Sequence, residues 1–158
     1  MKALIVYDSV FGNTAKVAMS MEAAIKSKCE VKAVQASAFS SDLLQGCTHL
    51  FIGSPTRSFQ PTALIKRLIV KLSKKELENI QVCVFDTRMD VEKVDVKILT
   101  LFTGWFGYAN DTMQRKLKRK TASRVIPDSG YLVKESEGPL EDGELERAAT
   151  WAVEQVMK

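Results

Sequence analysis

Histidine and cysteine are scarce: one histidine and three cysteines in 158 residues. Cys29, Cys47 and Cys83 are odd in number and lack the close pairing of zinc or dithiol sites, so neither a metal centre nor a disulfide framework is expected. Cys83 lies in an apolar run and reads as a small buried side chain. His49 is the sole histidine and stands at the start of an apolar run, where a structural role is expected. No apolar stretch approaches the roughly 20 residues that cross a bilayer as a helix. The N-terminal apolar run stops at Asp8, so no leader peptide is expected. Linkers, internal repeats and low-complexity tracts are missing too. These absences point to one cytoplasmic domain over residues 1–158, in a reducing compartment.

Hydrophobic residues make up 46% and charged residues 27%, which suits a packed globular domain. Net charge is +4, and Arg115, Lys116, Lys118, Arg119, Lys120 and Arg124 cluster with no acid between them. Such a cluster reads first as a solvated helix face whose cations suit the C-terminal end of the helix dipole. A docking patch for an acidic protein or a nucleic acid is the other reading. No set of stacking aromatics accompanies the cluster, so a nucleic-acid partner is not expected.

Strands and helices alternate along the chain. Residues 2–7, 29–35, 48–53 and 81–85 are apolar runs of strand length. A fifth strand at Arg124-Val125-Ile126 is broken by Pro127-Asp128-Ser129-Gly130 and resumes at Tyr131-Leu132-Val133. Helical periodicity covers Thr14–Lys26, a stretch opening at Pro61, Asn110–Lys120 and Gly143–Met157. Short apolar strands between amphipathic helices imply a three-layer α/β fold: a doubly wound, five-stranded parallel sheet in the order 2-1-3-4-5. A ligand crevice is then expected at the C-terminal ends of strands one, three and four. The connection Thr87–Ala109 is too long for a plain loop, and a short helix at Val94–Leu101 is one way to fill it.

Three loops at that edge have unusual compositions. Ser9-Val10-Phe11-Gly12-Asn13-Thr14 joins strand one to helix one. A helix N-terminus with a loop folded over it is an anion site, and phosphate is the usual guest. Ser9, Asn13 and Thr14 add side chains able to bond phosphate oxygens. Simple capping by Asn13 or Thr14 is the plainer reading. The loop lacks the lysine-serine ending of a triphosphate loop and the three glycines of a dinucleotide loop, so a single monophosphate fits best. The second loop, Ser54-Pro55-Thr56-Arg57-Ser58-Phe59, offers backbone donors and an aromatic ring to a planar polar ligand. The third is Asp86-Thr87-Arg88-Met89. No acid–base side chain is singled out as catalytic.

Together these segments resemble the flavodoxin family over essentially the whole chain. Residues 9–14 resemble the loop that holds the FMN phosphate. Gly53-Ser54-Pro55-Thr56 is similar to the loop along the isoalloxazine ring, and Asp86-Thr87-Arg88 stands at the second flavin-flanking loop. Gly138-Pro139-Leu140 and Gly143–Ala148 resemble the lead-in to the final helix. The resemblance implies FMN as cofactor and electron transfer to a redox partner protein or a small acceptor. The chain departs from the pattern at Val10 and Phe11, where carriers often have hydroxyls. It also lacks the family's Gly-Asp and Tyr in the second flavin loop, and Trp105, Phe106 or Tyr108 are the candidates to cover the outer flavin face. Its basic charge contrasts with the acidic carriers.

Two further readings stay open. One is a flavin-dependent oxidoreductase with its own small substrate, of quinone or protoporphyrinogen type. The other is a flavodoxin-like interaction module that has lost FMN.

Overall fold

The computed structural model describes residues 1–90, 108–121, 124–128 and 130–158. The expected helix at Val94–Leu101, together with Trp105 and Phe106, lies outside these residues.

The strands are β1 (Lys2–Tyr7), β2 (Glu30–Gln35), β3 (His49–Pro55), β4 (Gln81–Met89), β5 (Val125–Pro127) and β6 (Tyr131–Val133). The helices are α1 (Asn13–Ile25), α2 (Ala63–Lys71), the one-turn α3 (Lys74–Leu77), α4 (Ala109–Lys118) and α5 (Glu144–Met157). Every strand pairing is parallel, and the order is β2-β1-β3-β4-β5, with β6 also on β4.

The central strands are apolar at consecutive positions because both faces are covered. Leu4, Val6, Leu50, Ile52, Val82 and Val84 pack under Ile65, Leu68 and Ile69 of α2 and Met113 and Leu117 of α4. Their neighbours Ala3, Ile5, Tyr7, Phe51, Cys83 and Phe85 face the other way. They meet Val17, Met21 and Ile25 of α1 and Ala148, Ala152 and Val156 of α5. The period-two alternation of a strand delivers successive residues to opposite layers.

Residues 86–89, read from sequence as a loop, form the last part of β4. Ser54 and Pro55 of β3 pair with Asp86 and Thr87, and Thr87–Met89 pair with Tyr131–Val133 of β6. A polar composition suggested a loop; tertiary pairing overrides it, because the polar side chains find partners inside the protein. The fifth strand position is divided, as its sequence suggested. β5 pairs with the first half of β4 and β6 with the last. Pro127 is tolerated because β5 is at the edge and needs no N–H on its outer side.

Helix starts differ slightly from the sequence expectation. The helix expected to open at Pro61 begins at Ala63 as α2, with Thr62 as its cap, the hydroxyl accepting from the Ile65 N–H at 3.4 Å. Tyr108 precedes α4, and Asp111 accepts the Tyr108 N–H at 2.7 Å. The Asn110 side chain is buried and donates to the Asp128 carbonyl.

Candidate functional site

The C-terminal ends of β1, β3, β4 and β6 share one edge of the sheet, and a cavity of about 560 Å³ lies there. That volume is in the range of sites for drug-sized ligands and cofactors.

The first wall is the turn from β1 into α1. Gly12 adopts φ 86° and stands as the residue before the helix, with no side-chain cap. A Cβ at Gly12 would meet nothing within 4 Å, so glycine is required here by backbone conformation and not by space. The Ser9 hydroxyl accepts from the Ala15 N–H at 3.2 Å, bringing the loop back over the helix start. Among the described residues, the backbone N–H groups of Val10, Phe11, Gly12, Asn13 and Thr14 have no hydrogen-bond partner. Five consecutive free donors at the positive end of a helix form a cradle for an anion.

Two of the polar side chains nominated for a phosphate are turned to the protein. The Thr14 hydroxyl shares a 2.8 Å hydrogen bond with that of Thr87, and the Asn13 amide donates to the Glu137 carbonyl at 2.9 Å. These bonds tie α1 to β4 and to the segment after β6. Ser9 accepts within the loop, and its O–H is left to donate. Val10 and Phe11 are exposed at the rim.

The second wall follows β3. Arg57 and Gln60 exchange two backbone hydrogen bonds of 2.9 Å, closing a tight turn over Ser58 and Phe59. Those two residues adopt φ 46° and 63°, a conformation that costs on the order of 1 kcal/mol or more each without glycine. Ser54 is fully buried; its hydroxyl accepts from the Thr62 N–H and donates to the Pro55 carbonyl, both at 3.0 Å. It shapes the loop from beneath, while Pro55, Thr56, Arg57, Ser58 and Phe59 line the cavity.

The third wall is the end of β4. Thr87, Arg88 and Met89 line the cavity; Asp86 lies behind it, without exposed surface. One Asp86 oxygen accepts from the Thr56 hydroxyl at 2.9 Å and from the Asn110 N–H at 3.0 Å. The other holds the Arg88 guanidinium. Thr56 in turn accepts the Ala109 N–H at 3.0 Å, so the ends of β3 and β4 and the start of α4 are fastened together. Burial pushes the Asp86 carboxyl above the ordinary carboxylate range, against the pull of Arg88 and the donors around it.

Three aromatic rings line the space: Phe11, Phe59 and Tyr108. Arg88 stacks over Tyr108 with its guanidinium carbon 3.8 Å from the ring centre, and Arg57 stands over Phe11 at 5.2 Å. Tyr108 is thus the one member of the aromatic trio within the described residues, and it is at the cavity.

A fourth wall escaped the sequence reading: Val133 at the end of β6, and Ser136 and Glu137 after it. The signal was available in the turn residues 135–138 behind the fifth strand, since every strand of a parallel sheet ends at the same edge. His49 stands at the opposite edge, at the start of β3, its ring nitrogen 2.8 Å from the Thr48 hydroxyl. Burial lowers its pKa. No cluster of metal-binding side chains occurs among the described residues, and no described helix is long and apolar enough to cross a membrane.

No protein-family model and no curated protein matches the chain in sequence. Solved structures match it in fold. The two-electron reduced flavodoxin of Megasphaera elsdenii is 19% identical with a TM-score of 0.69, over 96% of this chain and 98% of that one. A flavodoxin from the domain Archaea is 16% identical with a TM-score of 0.64, over the full length of both. The rubredoxin oxygen:oxidoreductase of Desulfovibrio gigas is 16% identical with a TM-score of 0.62; the match spans 96% of this chain but 34% of that one. The chain has the flavodoxin-like fold.

Proposed function

We propose that this chain binds FMN at the cavity and serves as an electron-transfer protein or oxidoreductase. The observation that carries the reading is the run of five unpartnered backbone N–H groups at residues 10–14, opening onto a cavity lined by aromatic rings. A phosphate monoester matches the cradle in charge and in hydrogen-bond demand. A planar, partly polar ring system matches a space bounded by Phe11, Phe59 and Tyr108 together with the polar ends of β3 and β4. The likeness in fold to the two flavodoxins named above supports the same assignment by analogy.

A bound flavin would supply the redox chemistry. The chain's own residues bind and orient. The N–H groups of residues 10–14 and the Ser9 O–H would hold the phosphate. Loop residues 55–59 and the end of β4 at residues 87–89 would flank the ring. The Asp86 knot keeps those two loops at a fixed separation, so the slot does not have to be assembled when the ligand arrives. In the cavity lining Arg57 stands with Glu137, and Arg88 is paired with Asp86 behind it, so it is the unpartnered N–H groups of residues 10–14 that favour an anionic guest.

Purified protein is mixed with FMN, freed of unbound ligand and examined by visible absorption and flavin fluorescence; riboflavin is titrated in parallel. Retained flavin with perturbed absorption is expected, with riboflavin at least about a hundredfold weaker because it leaves the anion cradle empty. A folded protein that retains no flavin, or binds both ligands equally, overturns the reading.

A further inference from the structure

Another concave region among the described residues lies at the other end of the sheet. It is about 820 Å³ and is lined by Lys74, Lys75, Glu78 and Asn79 from one side and Arg119, Lys120 and Thr121 from the other. These segments lead into the N-terminal ends of β4 and β5, whereas the flavin-sized cavity is at the C-terminal ends. Two of the six clustered cations noted in the sequence, Arg119 and Lys120, line this depression opposite Lys74 and Lys75 of α3.

The depression is built by directed hydrogen bonds. Lys120 Nζ donates to the carbonyls of Val70 and Leu72 at 2.6 and 2.8 Å, satisfying the open end of α2 and fastening it to the chain beyond α4. On the facing wall, Ser73 and Glu76 form a reciprocal cap, the Glu76 carboxylate accepting the Ser73 N–H at 2.7 Å. Glu76 stays charged and interacts with Lys120, while the lining itself sets Lys74, Lys75, Arg119 and Lys120 against one acid, Glu78. Lys74, Lys75 and Arg119 are exposed, and so, at 66%, is Val70, whose carbonyl binds Lys120. Fixing like charges around a concavity costs energy unless an anion offsets it.

We propose that this basic depression docks an acidic segment of a partner protein. Carboxylate side chains answer the cations, and an apolar side chain among them answers Val70. The lining contains no aromatic ring, so nothing there stacks nucleobases. One valine is too little apolar surface for insertion into a bilayer. The site leaves the cavity at the opposite edge open, so a partner can be held while redox exchange proceeds there.

The test is a titration of ¹⁵N-labelled protein, free of flavin, with poly-L-glutamate of about 20 residues, followed by NMR shifts at low and physiological salt. Oligothymidylate of equal charge and phosphatidylserine vesicles are titrated alongside. Shifts centred on residues 74–79 and 119–121 are expected, with the peptide binding tighter than the oligonucleotide. The variant K75E/R119E should weaken peptide binding about tenfold or more, while K26E/K28E, with the same change in net charge, leaves it unchanged. Should the reversal variant not fold, K75A and R119A singly are each expected to weaken binding about threefold. Equal loss in the two double variants, shifts elsewhere, no binding, or preference for the oligonucleotide or vesicles overturns the proposal. None of these results depends on flavin binding.

Discussion

Arg88 Nε and Nη2 reach the same oxygen of Asp86, at 2.8 and 2.6 Å, and Asp86 has no exposed surface. The guanidinium is held between that carboxylate and the face of Tyr108. A Cβ on Gly130 would lie 2.2 Å from Arg88 Nε, so the backbone packs directly against the arginine as well. Few orientations are left to this cation, and it points a fixed charge at the cavity wall.

Removing one partner of such a pair leaves the other buried and unpaired. Asp86→Asn should cost about 3 kcal/mol of stability or more, read from urea denaturation. The double variant D86N/R88M should be more stable than D86N alone, because the orphaned cation is gone. A D86N protein within 1 kcal/mol of wild type would show that the pair does not hold these strand ends together.

Gly130→Ala tests the same contact from the other side. The new methyl group clashes with Arg88, and φ 85° is strained for alanine. Destabilisation of about 1–3 kcal/mol is expected. The ring-current shift of the Arg88 side chain over Tyr108 should fall in the NMR spectrum. An unchanged shift with lost stability would assign the cost to the backbone alone.

The layers of this fold were legible because burial writes directly into sequence. Val17, Met21 and Ile25 on α1, and Leu4 against Ile5 on β1, declare their faces by spacing alone. The end of β4 was not legible. Asp86 and Arg88 look like loop residues, and what makes them strand is a set of partners from Thr56, Asn110 and β6, all distant in sequence. The turn from β1 into α1 was legible from its glycine and its place before a helix. That Thr14 and Asn13 bond to Thr87 and Glu137 could not be read, since it depends on which loops the topology sets side by side. Glu137 itself was missed for the same reason.

Gly12→Val separates fold from ligand binding. With φ 86° a valine strains the backbone, although no neighbour obstructs it. Stability should fall by about 1–2 kcal/mol. Relaxing the strain rotates the Phe11–Asn13 donors, so FMN affinity should fall about tenfold or more by fluorescence titration. Unchanged affinity in the folded variant would remove residues 10–14 from the phosphate site.

Thiol reactivity gives an independent check on the two core layers. Burial pushes the Cys83 thiol up to about 12, and the side chain has no exposed surface. Cys29 and Cys47 are raised as well, also chiefly by burial. Alkylation at about pH 8 should be slow, with half-buried Cys29 first and Cys83 modified only on unfolding. Mass spectrometry of peptides from a time course reads the order. Early modification of Cys83 would contradict its place between β4 and α5.

The dependence of stability on pH follows from two buried carboxyls. Asp86 and Asp128 both lie above the ordinary range, in each case mainly because burial penalises the charged form. At Asp128 the Tyr131 hydroxyl, the Gly130 N–H and Arg147 pull the other way, and the charge of Asp86 adds to the rise. The folded protein therefore binds these protons more tightly than the unfolded chain. Their contribution is complete below the unfolded carboxylate pKa, near pH 4, and is lost as pH rises through the folded values. This is the reverse of an exposed, ion-paired aspartate. Asparagine at 128 does not titrate, so the stability gap between wild type and Asp128→Asn should be widest near pH 4 and shrink toward pH 7. Urea midpoints of the two proteins across that interval measure the gap. A gap that widened with pH would mean that the hydrogen bonds from Tyr131 and Gly130 outweigh burial, and that Asp128 is held ionised.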